Sequence, residues 1–226
     1  MFPILLNLTG KLVVVVGGGA VGARKASAAL IAGAVVRVVD PRALALPTEV
    51  IHIAEAYRSE HLDGASLVFA CATPEVNAQV VTDAQARGLW VSAATSPDEG
   101  DFTLPAVVRR GALTLAVSTG GASPALARRV RERLEAEYDE AFAEWVALLG
   151  EVRAEVLATV PDEARRRELL DEFADWEWLA RLRAEGAEKV REAMRAVLCP
   201  SASLNCGTGL QTGEALATPP RTENAN

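Results

Sequence analysis

Residues 11–40 read KLVVVVGGGAVGARKASAALIAGAVVRVVD. The stretch opens on a β-branched run, Lys11 to Val16, which favours an extended strand. Gly17-Gly18-Gly19-Ala20-Val21-Gly22 follows at once, and Ala23 to Ala32, rich in Ala and Leu, reads as a helix closed by Gly33. Val35 to Val39 is a second apolar strand, ending in Asp40-Pro41. Strand, glycine turn, helix and strand in that order form a βαβ unit, whose strands lie parallel. Because the strands are apolar throughout rather than alternating, the sheet is covered on both faces.

The alternation continues downstream. Ile51–Ala54, Leu67–Ala70 and Trp90–Ala93 read as strands, and Glu75–Arg87 as a helix stopped by Gly88. Ser96 to Asp101 has turn composition. Leu104–Val108 and Leu113–Val117 read as two strands around Arg110-Gly111. Pro124 marks a helix start, where its missing N–H is harmless. Residues 125–196 are nearly all strong helix formers, interrupted near Pro161-Asp162. Leu169, Leu170, Phe173, Trp176, Leu179 and Leu182 recur at helical spacing and predict one apolar stripe. Together with Trp145 and Trp178, that stripe reads as helix–helix core, with a dimer surface as the alternative. From Cys199 onward the chain is rich in Ser, Thr, Gly, Asn and Pro, so residues 197–226 are expected to form a disordered tail.

Charge divides the chain in the same places. Residues 1–117 carry 9 basic and 10 acidic side chains, whereas residues 118–196 carry 13 and 18. The expected organisation is an α/β fold. It has an N-terminal parallel sheet of the Rossmann type at 1–95, a small β-containing region at 96–124, a helical domain at 125–196 and the tail. A net charge of −7 disfavours a general nucleic-acid binder. No apolar run approaches the ~18 residues of a membrane span, and MFPILLNLTGK lacks the basic start of a signal peptide, so a soluble, cytoplasmic protein is expected. Three cysteines (Cys71, Cys199, Cys206) without a CxxC pair, and only His52 and His61, argue against a disulfide framework or a zinc site.

Two loops carry chemistry. Gly17, Gly19 and Gly22 satisfy G-x-G-x-x-G between a strand and a helix, the context of a dinucleotide fingerprint. In that motif the first glycine permits the turn, the second admits a pyrophosphate, and the third lets helix and strand pack. Asp40, at the end of the second strand, suits the ribose hydroxyls of NAD and repels the 2′-phosphate of NADP, although Arg42 offers a phosphate partner. The second loop, Ser118-Thr119-Gly120-Gly121-Ala122-Ser123-Pro124, runs into a helix bearing Arg128 and Arg129. Its hydroxyls, N–H groups and guanidinium groups suit a carboxylate-bearing ligand, while the plainer reading is a capped helix start. Cys71 reads as a small buried hydrophobe, and the two histidines as surface or packing residues.

With these residues in view, the chain resembles the precorrin-2 dehydrogenase and sirohydrochlorin ferrochelatase family, the N-terminal module of sirohaem synthase. The resemblance rests on VVVVGGGAVGARKASAALIAGAVVRVV with Arg24-Lys25, on AVSTGGASPALARRVRERLE from Ala116 to Glu135, and on two shorter stretches. These are Phe2-Pro3-Ile4 through Lys11, and Asp101-Phe102-Thr103-Leu104-Pro105-Ala106. It covers roughly residues 2–135. It implies NAD-dependent oxidation of precorrin-2 to sirohydrochlorin in a homodimer, with ferrous iron as a further substrate in members that are also chelatases. It carries nucleotide contacts onto Ala20, Val21, Pro41, Arg42 and the loop after Thr73, beside Gly17, Gly19, Gly22 and Asp40 of the glycine motif. Arg24, Lys25, Ser118, Thr119, Gly120, Ser123 and Arg128 then face an acidic tetrapyrrole, with Arg109, Arg110 and Arg129 as further cations.

The chain also departs from the family pattern. The family's Asn-Val-Val-Asp segment falls on Ser92 to Thr95, so a hydroxyl replaces the aspartate taken as the base, and a hydroxyl is far too weak a base at neutral pH. Asp98 and Asp101 are the nearby substitutes. The loop after Thr73 is about two residues shorter than usual. Two other readings fit the same residues: an NAD-sensing regulatory protein, and a relative that binds tetrapyrrole without turnover.

Overall fold

The computed structural model describes residues 1–42, 44–95 and 97–198. By contacts the chain forms two units, Met1–Pro105 with Gly120–Ala122, and Ala106–Thr119 with the residues from Ser123 onward.

The first unit is built on a five-stranded parallel sheet: β1 (Leu12–Val16), β2 (Val35–Val39), β3 (Val50–Ile53), β4 (Leu67–Ala70) and β5 (Trp90–Ala93). Their order is β3-β2-β1-β4-β5. The valine run of β1 serves both faces because successive side chains point opposite ways. Val13 and Val15 join Val36, Val38 and Phe69 under helix α1 (Ala20–Ile31), through Ala26 and Ala29. Val14 and Val16 join Val68, Ala70 and Val91 under helix α2 (Pro74–Ala86), through Val80, Val81 and Ala84. This is the doubly wound sheet that the unbroken apolar strands imply. The direction of winding reverses between β1 and β4, which opens a crevice at their C-terminal ends, where such sheets take ligands.

The second unit begins with a hairpin of β6 (Ala106–Arg110) and β7 (Leu113–Val117), paired antiparallel. Five helices follow among the described residues: α3 (Pro124–Glu137), α4 (Glu140–Thr159), α5 (Glu163–Phe173), α6 (Trp176–Glu185) and α7 (Ala187–Leu198). Their core holds Phe142, Trp145, Leu148, Val152, Val156, Leu169, Phe173, Leu179, Val190 and Met194. Ion pairs from Arg191 to Glu151 (2.8 Å) and from Arg195 to Glu155 (2.5 Å) tie α7 to α4.

Several sequence expectations are corrected. Helix α1 starts three residues early, at Ala20, because the glycine turn feeds straight into its first turn. Strand β6 starts at Ala106 rather than Leu104, after Pro105, which has no N–H for the ladder. The stripe from Leu169 to Leu182 is broken at Ala174-Asp175, where the Asp175 carboxylate caps the next helix by accepting from Glu177 N (2.9 Å). The register shift buries Trp178 and leaves Trp176 60% exposed. Helix α7 runs two residues into the expected tail, since Val197 and Leu198 still pack on the helical core. The rest of the expected tail, with Cys199 and Cys206, lies outside the described residues. No helix among the described residues is long and apolar enough to cross a membrane.

Candidate functional site: the glycine turn and its neighbours

The first glycine turn sits at the sheet's crevice and its glycines have different causes. Gly17 has φ +98°, and a Cβ there would lie 2.4 Å from the carbonyl oxygen of Cys71 at the end of β4. A Cβ on Gly22 would meet the Gly17 carbonyl at 1.8 Å, and one on Gly18 would meet Leu44 at 2.0 Å. Gly17 and Gly22 are demanded by the backbone, whereas Gly18 is opposed only by the movable end of the Leu44 side chain. Gly19 is different: its φ is −66°, open to any residue, and a Cβ there would meet nothing within 4 Å. Its small size serves nothing inside the chain.

Gly19 is also the N-cap of α1, whose first turn has neither a side-chain cap nor an acidic residue. A helix N-terminus presents unpaired N–H groups and a partial positive charge. With Ala20 and Val21 exposed beside the open face of Gly19, these groups await an acceptor from outside the chain. The residues therefore fit the pyrophosphate of a dinucleotide.

Asp40 closes one end of this turn. Its side chain is buried, and Oδ2 accepts from Gly18 N at 2.7 Å. Arg42 adds its backbone N–H and Nε on Oδ1, both at 2.9 Å, and Nη2 on Oδ2 at 2.7 Å. The Arg42 guanidinium, with help from the Gly18 and Arg42 N–H groups, holds the Asp40 carboxyl well below the usual range, against the opposing effect of burial. His52 Nε2 donates to the Asp40 carbonyl oxygen at 3.0 Å. His61 is buried and accepts from Arg58 N through Nδ1 (3.1 Å), a packing role.

On the other side of the crevice, Asn77 organises the loop after β4. It is 1% exposed, and its Oδ1 accepts from Ala72 N (2.8 Å) while Nδ2 donates to Ala72 O (3.3 Å) and to Thr95 Oγ1 (3.1 Å). Sequence reasoning missed this residue. The signal was a polar residue at the head of the buried 77/80/81/84 face of α2. Thr95 accepts from Asn77, so its own hydrogen is left to donate. Thr73 is the N-cap of α2, and the Glu75 backbone N–H, with the Thr73 hydroxyl after it, holds the Glu75 carboxyl below its usual range.

The two candidate bases differ. Asp101 Oδ2 accepts from Val91 N at 2.9 Å, and its N–H donates to Val91 O, so it fastens the chain to β5. Asp98 is exposed in the short 3-10 turn Pro97–Glu99 and has no partner among the described residues. Of the expected cations, Arg24 and Lys25 on α1 have no acidic partner among the described residues. Lys25 lies 5.4 Å from the centroid of the Phe69 ring, and its burial lowers its pKa, while burial raises the neighbouring Cys71 thiol.

The second glycine loop is organised from within. Ser123 Oγ accepts from Leu126 N (3.2 Å) as the N-cap of α3, and Ser123 N donates to Thr119 Oγ1 (3.1 Å). Gly120 and Gly121 have φ +62° and +89°, with open space at both Cβ positions. Arg128 lies 3.8 Å from Glu132, and Arg109 and Arg129 are exposed. Arg110 was expected to be an available cation, but it pairs with Glu135 and Glu140 at 4.0 and 3.5 Å.

The fold and the glycine turn define a Rossmann-type nucleotide-binding protein. A family described as NAD(P)-binding matches residues 4–106, and the family of the sirohaem biosynthesis protein central domain matches residues 110–137. Relatives include the siroheme synthase of Pseudomonas entomophila, 40% identical over 73% of this chain and 37% of that protein. The siroheme synthase of Azotobacter vinelandii is 35% identical over 88% of this chain and 45% of its own length. The chain thus spans under half the length of these relatives. Among solved structures, SirC, a precorrin-2 dehydrogenase, superposes with a TM-score of 0.72 at 27% identity, covering 86% of this chain and 99% of that one. Over the stretch it shares with these proteins, the chain is similar to siroheme synthases and to a precorrin-2 dehydrogenase.

Proposed function

We propose that the chain is an NAD-dependent precorrin-2 dehydrogenase that yields sirohydrochlorin on the route to sirohaem. The observation that carries this reading is the open, uncapped α1 N-terminus at Gly19, a cradle for a pyrophosphate, in a chain whose relatives are siroheme synthases and a precorrin-2 dehydrogenase. NAD, when bound, supplies the hydride acceptor. Oxidation of precorrin-2 removes one hydride and one proton, so positioning does most of the work and a single weak base suffices.

The chain's own residues divide the remaining tasks. Gly17–Gly22 and the α1 N-terminus hold the pyrophosphate, Asp40 to Arg42 the ribose end, and Thr73 the loop beside it. Arg24 and Lys25 receive substrate carboxylates. So do Ser118, Thr119, Gly120, Ser123 and Arg128 of the second loop, where Thr119 keeps a hydroxyl hydrogen to donate. Asp98 takes the proton, because Asp101 is already committed to β5. In this assignment residues 1–95 bind cofactor, 96–124 serve substrate and dimer formation, and 125–196 form the helical domain of a cytoplasmic homodimer.

Purified protein given precorrin-2 and NAD is expected to form sirohydrochlorin with one NADH per turnover. No NADH above a protein-free control overturns the proposal. Asp98→Asn is expected to lower kcat by about a hundredfold with NAD affinity kept. Asp101→Asn should act mainly through stability, which thermal melting separates from kcat. Ferrous iron added to the same assay tests, from the absorbance spectrum, whether the product is also metallated.

A further inference from the structure

We infer that Arg42 competes with the adenosine ribose for Asp40 and thereby sets the choice between NAD and NADP. The inference rests on the reading that a dinucleotide lies across the first glycine turn, and it concerns the ribose end of that site.

A carboxylate accepts about four hydrogen bonds. All four positions on Asp40 are filled: by Gly18 N, by Arg42 N, and by Arg42 Nε and Nη2. The two backbone donors, Gly18 in the glycine turn and Arg42 in the bend after β2, cannot leave without moving the main chain. A ribose presenting two hydroxyls to this carboxylate needs the two positions that the guanidinium now holds.

One partner can move and the other cannot. The Asp40 side chain is 4% exposed and that of Arg42 is 66% exposed. The Asp40 backbone is fixed on both sides, its N–H donating to Ile53 O at 3.1 Å and its carbonyl accepting from His52. Asp40 is the only acidic partner of Arg42 among the described residues. Binding of NAD therefore proceeds by swinging the guanidinium out and replacing two hydrogen bonds from a cationic donor with two from neutral hydroxyls.

A 2′-phosphate meets the opposite situation. The planar fork of Arg42 matches a phosphate as well as it matches a carboxylate, so Arg42 can transfer to the phosphate and offset the repulsion from Asp40. Asp40 alone would exclude NADP. Paired with Arg42, it leaves the ribose end without net charge, and the two cofactors bind within about tenfold of each other.

Dissociation constants for NAD and NADP, measured by calorimetry on the full chain without tetrapyrrole, test this. Arg42→Gln is expected to tighten NAD by about three- to fivefold. The same change is expected to weaken NADP by about tenfold or more. Arg42→Lys, which keeps the charge but loses the fork, is expected to tighten NAD while weakening NADP less. Melting curves of each variant confirm that the exposed substitution leaves the fold intact. An NAD constant that is unchanged or raised in Arg42→Gln overturns the role of Arg42. Wild-type protein that binds neither nucleotide overturns the dinucleotide reading itself, and the two failures are told apart by that first titration.

Discussion

The two glycine-rich turns look alike in sequence and are built on opposite plans. At Gly17–Gly22 the backbone is packed so tightly that a Cβ on Gly17 or Gly22 would fall 2.4 or 1.8 Å from a carbonyl oxygen. Yet the helix that follows is uncapped. At Ser118–Pro124 the glycines have room for a Cβ and are needed only for their positive φ, and the following helix is capped by its own serine. One turn spends its sequence on close packing and leaves its helix N-terminus for a ligand. The other satisfies its helix N-terminus and leaves its loop roomy. An uncapped N-terminus beside an unexplained glycine is therefore the better signature of an anion site than glycine content alone.

Substitutions can break this comparison. The largest effect is expected for Gly22→Ala, which drives a methyl group into the Gly17 carbonyl. We expect a loss of about 3 kcal/mol in denaturant unfolding, together with loss of NAD binding. Gly19→Ala should separate those two effects: stability stays within about 0.5 kcal/mol, while the NAD dissociation constant rises about tenfold. A Gly19→Ala protein that binds NAD normally would remove the cradle at α1. Ser123→Ala, at the other turn, is expected to reduce stability by about 1 kcal/mol through loss of the α3 cap, with NAD affinity untouched.

Acid sharpens the contrast, because a carboxylate fastens the first turn and hydroxyls fasten the second. The Asp40 pKa is lowered on folding, so its contribution is complete above its unfolded value of about 4 and fades as pH falls further, toward the lowered folded value. Asp40→Asn is expected to lower stability by about 1 kcal/mol at pH 7, the pairing with exposed Arg42 being discounted for solvent. That deficit should shrink below about pH 4. The Ser123→Ala deficit should stay constant over the same range. Parallel melting series of the two variants against wild type give the comparison, and deficits that track each other with pH would show that the carboxylate has no special part.

What the sequence determined by itself is everything governed by short range. Strand period, glycine turn, helix stops and the βαβ order follow from side-chain alternation and backbone conformation within a few residues. They yielded the doubly wound sheet, the hairpin and the nucleotide fingerprint. Pro161-Asp162 was legible as a break, whereas Asp175 was not, since an aspartate caps a helix only where the backbone turns. Only the tertiary structure decided which polar groups are already satisfied. Arg42 and Gly18 on Asp40, Val91 on Asp101, Glu135 and Glu140 on Arg110, and Asn77 on Thr95 are mostly partners distant in the chain, brought together by strand order and loop return. A carboxylate's availability depends on how many donors reach it, and that number belongs to the folded arrangement.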